Sequence, residues 1–230
     1  MSSARRTALV AGVFYIITFA SSIPAVFLLD PVLTDPTYVV SAGADAQVTL
    51  GAFLDVVNAL ACIGTAVALF TIVKRQHEGF ALGFVTTRMF EAAVIMIGVV
   101  SLLAVVTLRQ EAAGADEGAL IAVSQGLVAV RDWTFLLGPG LMPAFNAVLL
   151  GWLLYRSRLV PRPIPVLGLI GAPLLLSSAI GMLFGINDAT TIWAAIATLP
   201  IAAWELAVGL WMAIKGFNPD APILSTSGAT

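Results

Sequence analysis

Arg88 and Glu91 stand three positions apart in the segment TTRMFEAAV (residues 86–94), within a stretch from Phe80 to Leu108 that is otherwise almost purely apolar. On a helix this spacing puts guanidinium and carboxylate on one face. Together they could pair with each other, hold a charged ligand or move a proton. Other polar residues stand in equally apolar surroundings: Asp55 and Asn58 three apart, Asn146, and Glu205 directly after Trp204. A charge at the centre of a bilayer costs about 2.5–3.5 kcal/mol on insertion scales, so such side chains are expected to face one another and to mark a site. The candidate ligand-binding residues are therefore Arg88, Glu91, Glu205, Asn58, Asp55, Asn146 and Trp204.

Other chemistries lack their residues. No lysine lies within an apolar run, since Lys74 and Lys215 sit at the ends of theirs, which disfavours a Schiff base. The single histidine, His77, lies in a charged connection, so histidine-ligated haem, multi-histidine zinc and a serine–histidine–aspartate set are disfavoured. The one cysteine, Cys62, has no internal partner for a disulfide and reads as a small core residue. No cofactor, metal or catalytic residue is called, and no basic tract suits nucleic acid.

The elements that carry these residues follow from composition. Of 230 residues 60% are hydrophobic and 10% charged, with a mean hydropathy of +1.01, far outside soluble norms. A hydrocarbon core about 30 Å thick needs roughly 20 helical residues to cross it. Six segments qualify: Ala8 to Leu29, Val48 to Val73, Gly79 to Leu108, Trp133 to Tyr155, Pro163 to Phe184 and Ala189 to Ile214. The first follows Arg5 and Arg6 and contains a small-residue stretch, so a cleaved signal is weighed; the apolar run exceeds a signal's usual core, and a retained helix is expected.

Arg5, Arg6, Lys74, Arg75, Arg156, Arg158, Arg162 and Lys215 fall on one side of a six-span arrangement, against Arg109 and Arg131 on the other. Basic residues in short loops stay on the cytoplasmic side, so both termini are expected there. Between spans three and four, Leu120, Val123, Leu127 and Val130 recur at helical spacing, which suggests a short amphipathic helix on the outer face or an extension of the fourth span. The fold expected is all-α: an integral membrane bundle of six transmembrane helices, with residues 1–217 as a single domain and 218–230 as a short polar tail. Gly138-Pro-Gly140 and Pro143 should kink the fourth span, and Pro173 and Pro200 should disturb the fifth and sixth. Gly79 with Gly83, and Gly181 with Gly185, match the GxxxG pattern of close helix packing.

Depth can be counted at 1.5 Å per helical residue. Glu205 lies ten residues before Lys215, Asn146 ten before Arg156 and Arg88 ten after Glu78, which sets all three about 15 Å inside, near the midplane. Glu205 is thus the expected partner of Arg88, with Asn146 at the same height and Glu91 one turn further out, towards Asn58 and Asp55. Met89, Phe90 and Val94 are expected on other faces. One guanidinium against three carboxylates leaves two negative charges in excess, so carboxyl protonation, a cationic ligand, or hydration of Asp55 must balance them.

The segments RTALVAGVFY (6–15), TTRMFEAAV (86–94), LLYRSRLVP (153–161) and LPIAAWELAVGLWMAIKGF (199–217) together resemble a bacterial family of multispanning membrane proteins, domain of unknown function 4386. The resemblance implies a compact multi-helix membrane protein and brings no activity with it. Three readings remain: a protein of the cell membrane that binds or transports a small molecule or ion; an intramembrane enzyme using a buried carboxylate as acid or base on a lipid or isoprenoid; or an accessory protein whose buried ion pair only locks helix packing. The lipid bilayer is the expected partner, with a small-molecule or lipid ligand, and a transport pathway through six spans would call for a homo-oligomer.

Overall fold

A computed structural model describes residues 2–41 and 43–225. Among them the long elements are seven helices: α1 (Ser3–Thr34), α2 (Asp45–Val73), α3 (Glu78–Gln110), α4 (Glu117–Leu137), α5 (Met142–Ser157), α6 (Pro163–Leu183) and α7 (Ile192–Ile214); a single turn, α8 (Pro222–Ser225), follows. Six stretches are long and apolar enough to cross a membrane, α4 and α5 together forming one of them. Side chains that face outward are apolar, Phe27, Leu60, Val100 and Leu199 among them, as a lipid environment requires. The chain is a multi-pass, all-helical membrane protein.

α1 and α3 start before the counted spans and α7 starts later, at Ile192 rather than Ala189, because polar caps set where these helices begin. Ser2, His77, Asp116 and Thr191 each accept a backbone N–H at the start of α1, α3, α4 and α7, satisfying donors that a helix leaves open. The fourth span differs most from expectation. Residues from Glu117 onward form one helix that reaches Leu137, breaks over Gly138–Leu141 and restarts at Met142. Pro143 does not kink it. It lies in the first turn of α5, where a missing N–H costs nothing. Pro173 and Pro200 likewise lie inside α6 and α7 without interrupting either.

Packing follows chain order and closes on itself. α1 lies against α2, α2 against α3, α3 against α4 and α5, α5 against α6, α6 against α7, and α7 back against α1. The residues that bring α7 onto α1 are Gly12 and Gly209: a Cβ at Gly12 would collide with the backbone of Ala213 and Gly209, and one at Gly209 would stand 2.7 Å from Tyr15 Cβ. The GxxxG glycines do not act this way, for a Cβ at Gly185 would meet nothing and one at Gly83 would make ordinary contact with Leu149. Residues 218–225, the first part of the expected tail, fold back so that Ala221 and Ile223 join the core, tied by Asn218 N–H to Leu159 O at 2.8 Å; 226–230 lie outside the described residues.

Backbone atoms cannot rotate away from an added side chain, so Gly12→Val should separate α1 from α7 and cost about 1–3 kcal/mol. A thermal melt in detergent checks this, with the exposed Ala20→Val as control; equal melting temperatures for the two would refute the close approach.

Candidate functional site

Arg88 is buried to 2% exposure and is held from four helices. Its Nη1 meets Glu91 Oε2 at 3.1 Å, one turn along α3, and Cys62 Sγ of α2 at 3.6 Å. Nη2 meets Glu205 Oε1 of α7 at 2.5 Å and the Tyr15 hydroxyl of α1 at 3.4 Å. The guanidinium also lies 5.3 Å from the Tyr15 ring centre and 5.9 Å from that of Phe84, a favourable placement for a cation. Its Nε–H has no partner. Glu91 accepts a second bond, from Asn146 Nδ2 of α5 at 2.8 Å, and Thr87 Oγ1 in turn donates to Asn146 Oδ1. The pairing expected from depth is therefore present, with Asn146 bonded to Glu91 rather than to Arg88.

The face that carries Arg88 and Glu91 is the interior one: Met89 and Phe90 are 55% and 50% exposed. Val94 departs from expectation. Three residues beyond Glu91, it shares that buried face and sits where a Cβ on Gly138 would touch it.

Asp55 does not join this group. It pairs with Arg131 Nη2 at 3.2 Å, and the Arg131 guanidinium lies 4.8 Å from the Phe135 ring centre. Its position between the expected spans puts Arg131 in an outer loop. It is buried because α4 continues inward for six more residues after it. The charge balance changes accordingly: with Asp55 and Arg131 matched, one guanidinium faces two carboxylates, and the excess falls to one negative charge.

A cavity of about 770 Å³ opens above this network. Arg88, Glu91 and Glu205 form its floor, with Asn58 and Cys62 of α2 at the side. Its walls, mainly apolar, come from α1, α4, α6 and α7, and it reaches the exposed α6–α7 connection at Asp188 and Ala189. Thr190, through its hydroxyl and its amide, holds the Asp188 carboxyl below the usual carboxylate range, so the mouth carries a negative charge. Below the floor the bundle is filled by Trp204, Phe84, Leu150, Leu154, Val208 and Met212. The protein is thus a cup, with its main cavity on one side of Arg88 and a packed core beneath it towards Arg5 and Lys215.

Glu205 differs from its neighbours. Its side chain is 14% exposed, against 5% for Glu91; in each carboxylate one oxygen takes every protein bond, but Glu205 accepts one such bond where Glu91 Oε2 accepts two, from Arg88 and Asn146. Asn58 lines this cavity and a smaller one of about 190 Å³ beside Asp55 and Arg131, and accepts the Cys62 thiol at 3.9 Å. Trp204 and Asn146 line neither. Trp204 is fully buried against Gly168, where a Cβ would stand 2.5 Å from the indole ring, and its Nε1 has no partner. Tyr15, Thr87 and Cys62 belong to the Arg88 network and Arg131 to the separate Asp55 pair, none of them among the candidates read from the sequence. Arg131 alone left a signal, as a charge within a helical pattern continuous with the fourth span.

These features define a class, the multi-pass helical membrane protein with a buried ion-pair network under an open cavity. The chain belongs to the family described as domain of unknown function DUF4386, which matches residues 10–216. No curated protein and no solved structure matches it.

Removing one member of a buried pair strands the other and costs about 3–5 kcal/mol. Arg88→Ala should therefore lower the melting temperature far more than Arg88→Met combined with Glu91→Gln and Glu205→Gln, which removes every charge at once. Comparable losses in the two variants would show that the charges are not mutually compensating.

Proposed function

We propose that this protein is a receptor or carrier of the bacterial cell membrane that binds a small organic cation in the cup above Arg88, Glu91 and Glu205. The observation that carries the reading is the free carboxylate oxygen of Glu205 at the cavity floor, where one guanidinium already faces two carboxylates. A bound cation would neutralise that excess in a low-dielectric setting, where opposite charges attract strongly. The apolar walls would take the body of the molecule, as in most small-ligand pockets with few polar anchors. Asp188 at the mouth, with Asp132 also on the lining, would draw cations inward.

With basic residues on the cytoplasmic side, the termini would lie in the cytoplasm and the mouth on the outer side. The packed half beneath Arg88 would then close the route inward, so that release to the cytoplasm requires rearrangement about Glu205 and Trp204. Binding from outside is the part of the cycle that this closed-floor geometry supports.

The test uses Ala202→Cys in a Cys62→Ser background, since Ala202 lines the cavity three residues from Glu205. Modification by a trimethylammonium methanethiosulfonate is compared with that by its sulfonate analogue, each normalised to a free thiol. The cationic reagent is expected to react at least about tenfold faster, consistent with electrostatic focusing in a charged cleft. Glu205→Gln should shrink the ratio. A sulfonate that reacts as fast as the cation rules the reading out.

A further inference from the structure

At the opposite end of the bundle from the cup's mouth, a second hollow of about 430 Å³ lies between the α5–α6 connection and the segment after α7. Arg158, Arg162 and Lys215 line it, with Trp211, Phe217 and Asn218. We propose that this hollow binds a phosphate-bearing anion, either the headgroup of an anionic lipid or a free phosphate compound.

Charge carries the argument first. No carboxylate lines the hollow, and none of its three cations forms an ion pair among the described residues. All three are exposed. Arg162 lies with its guanidinium 5.1 Å from the Tyr155 ring centre; stacking of this kind orients a guanidinium while leaving its edge donors free. Arg158 has φ 56, the only positive φ at a non-glycine residue among those described. An arginine thus occupies the left-handed position after α5 that glycine fills at least cost, and it brings a charge to the rim.

The walls are tied, and the carbonyls that would oppose an anion are covered. Asn218 N–H donates to Leu159 O at 2.8 Å, which links the two sides. The carbonyls at the end of α7 would repel an anion. Arg5 covers them instead, donating to Met212 O at 3.0 Å, Ala213 O at 2.8 Å and Ile214 O at 3.0 Å. Beside Lys215, Ile214 is 66% exposed, so an acyl chain has apolar surface next to the charged pocket. This site is independent of the cup and of its occupant.

Native mass spectrometry of the detergent-purified full chain, incubated with phosphatidylglycerol or phosphatidylcholine, tests the lipid source. Thermal stabilisation by inorganic pyrophosphate tests the free anion. The groove variant R158Q/R162Q/K215Q is compared with R6Q/K74Q/R156Q, which removes the same charge from the same end outside the hollow. Phosphatidylglycerol held by wild type and control, and bound at least about tenfold more weakly by the groove variant, supports a lipid headgroup. Pyrophosphate stabilisation with the same dependence on the groove, without lipid retention, supports a free phosphate compound. Equal losses in groove and control variants, retention of phosphatidylcholine as strong as that of phosphatidylglycerol, or no response to either probe overturns the proposal. K215E, a single change at an exposed side chain, gives the same readout where the triple variant does not purify.

Discussion

A guanidinium cannot stay ionised inside an apolar bundle without partners, and this requirement fixes the relative heights of the helices around Arg88. Tyr15, Cys62, Glu91, Asn146 and Glu205 come from α1, α2, α3, α5 and α7, and all lie within one connected set of contacts about the same residue. In lipid, apolar surface gives little preference for one helix register over another, because the solvent is as apolar as the side chains. Polar contacts do discriminate. Sliding α7 by one turn would shift Glu205 by about 5.4 Å relative to Arg88 and leave its carboxylate without a counter-charge, while Arg88 kept only Glu91.

The six apolar stretches and the Arg88–Glu205 pair were legible in the sequence for the same reason. Both depend on a fixed rise per residue against a membrane of fixed thickness, so counting from basic anchors gives depth. Counting fails where the chain does not cross straight. Helical spacing within 109–132 leaves open a separate outer-face helix or an extension of the fourth span; the chain takes the second course, as Glu117–Leu137 is one helix whose inner turns carry Arg131 to Asp55. Residue type alone also says nothing about which side of a wall a large ring takes. Trp204 stands next to Glu205 in sequence and turns instead into the packed core, because Gly168 opposite it leaves room for the indole.

The two basic residues that break the positive-inside pattern have a common explanation. Arg109 forms an ion pair with Asp45, donates to Ser41 O and lies near the Tyr38 ring, while Arg131 is paired with Asp55. Each is neutralised within the protein, so neither counts as a free positive charge. At the opposite end Arg158, Arg162 and Lys215 form no ion pair among the described residues and keep their full weight in orientation.

The hollow half of the bundle and the break in the fourth span have one cause. Ending α4 at Leu137 and restarting at Met142 interrupts the helical ladder within the apolar stretch. Such an interruption is tolerated at membrane depth only where it is buried in protein or lines a cavity. Local turns recover part of the bonding: Gly140 N–H to Phe135 O at 2.9 Å, and Met142 N–H to Gly138 O at 2.9 Å. Pro139, Gly140 and Pro143 line the main cavity, and Pro139 lines the smaller one as well. The break sets α4 at the cavity wall, where it contacts α6 only lightly and leaves α7 facing the open space. A straight fourth helix would pack along α6 and α7 and bury the carboxylate oxygen that Glu205 leaves free. The glycine–proline–glycine sequence therefore does for the cup what Arg88 does for the bundle: it holds open, at a cost in backbone bonding, the one place where a charged floor can be reached from outside.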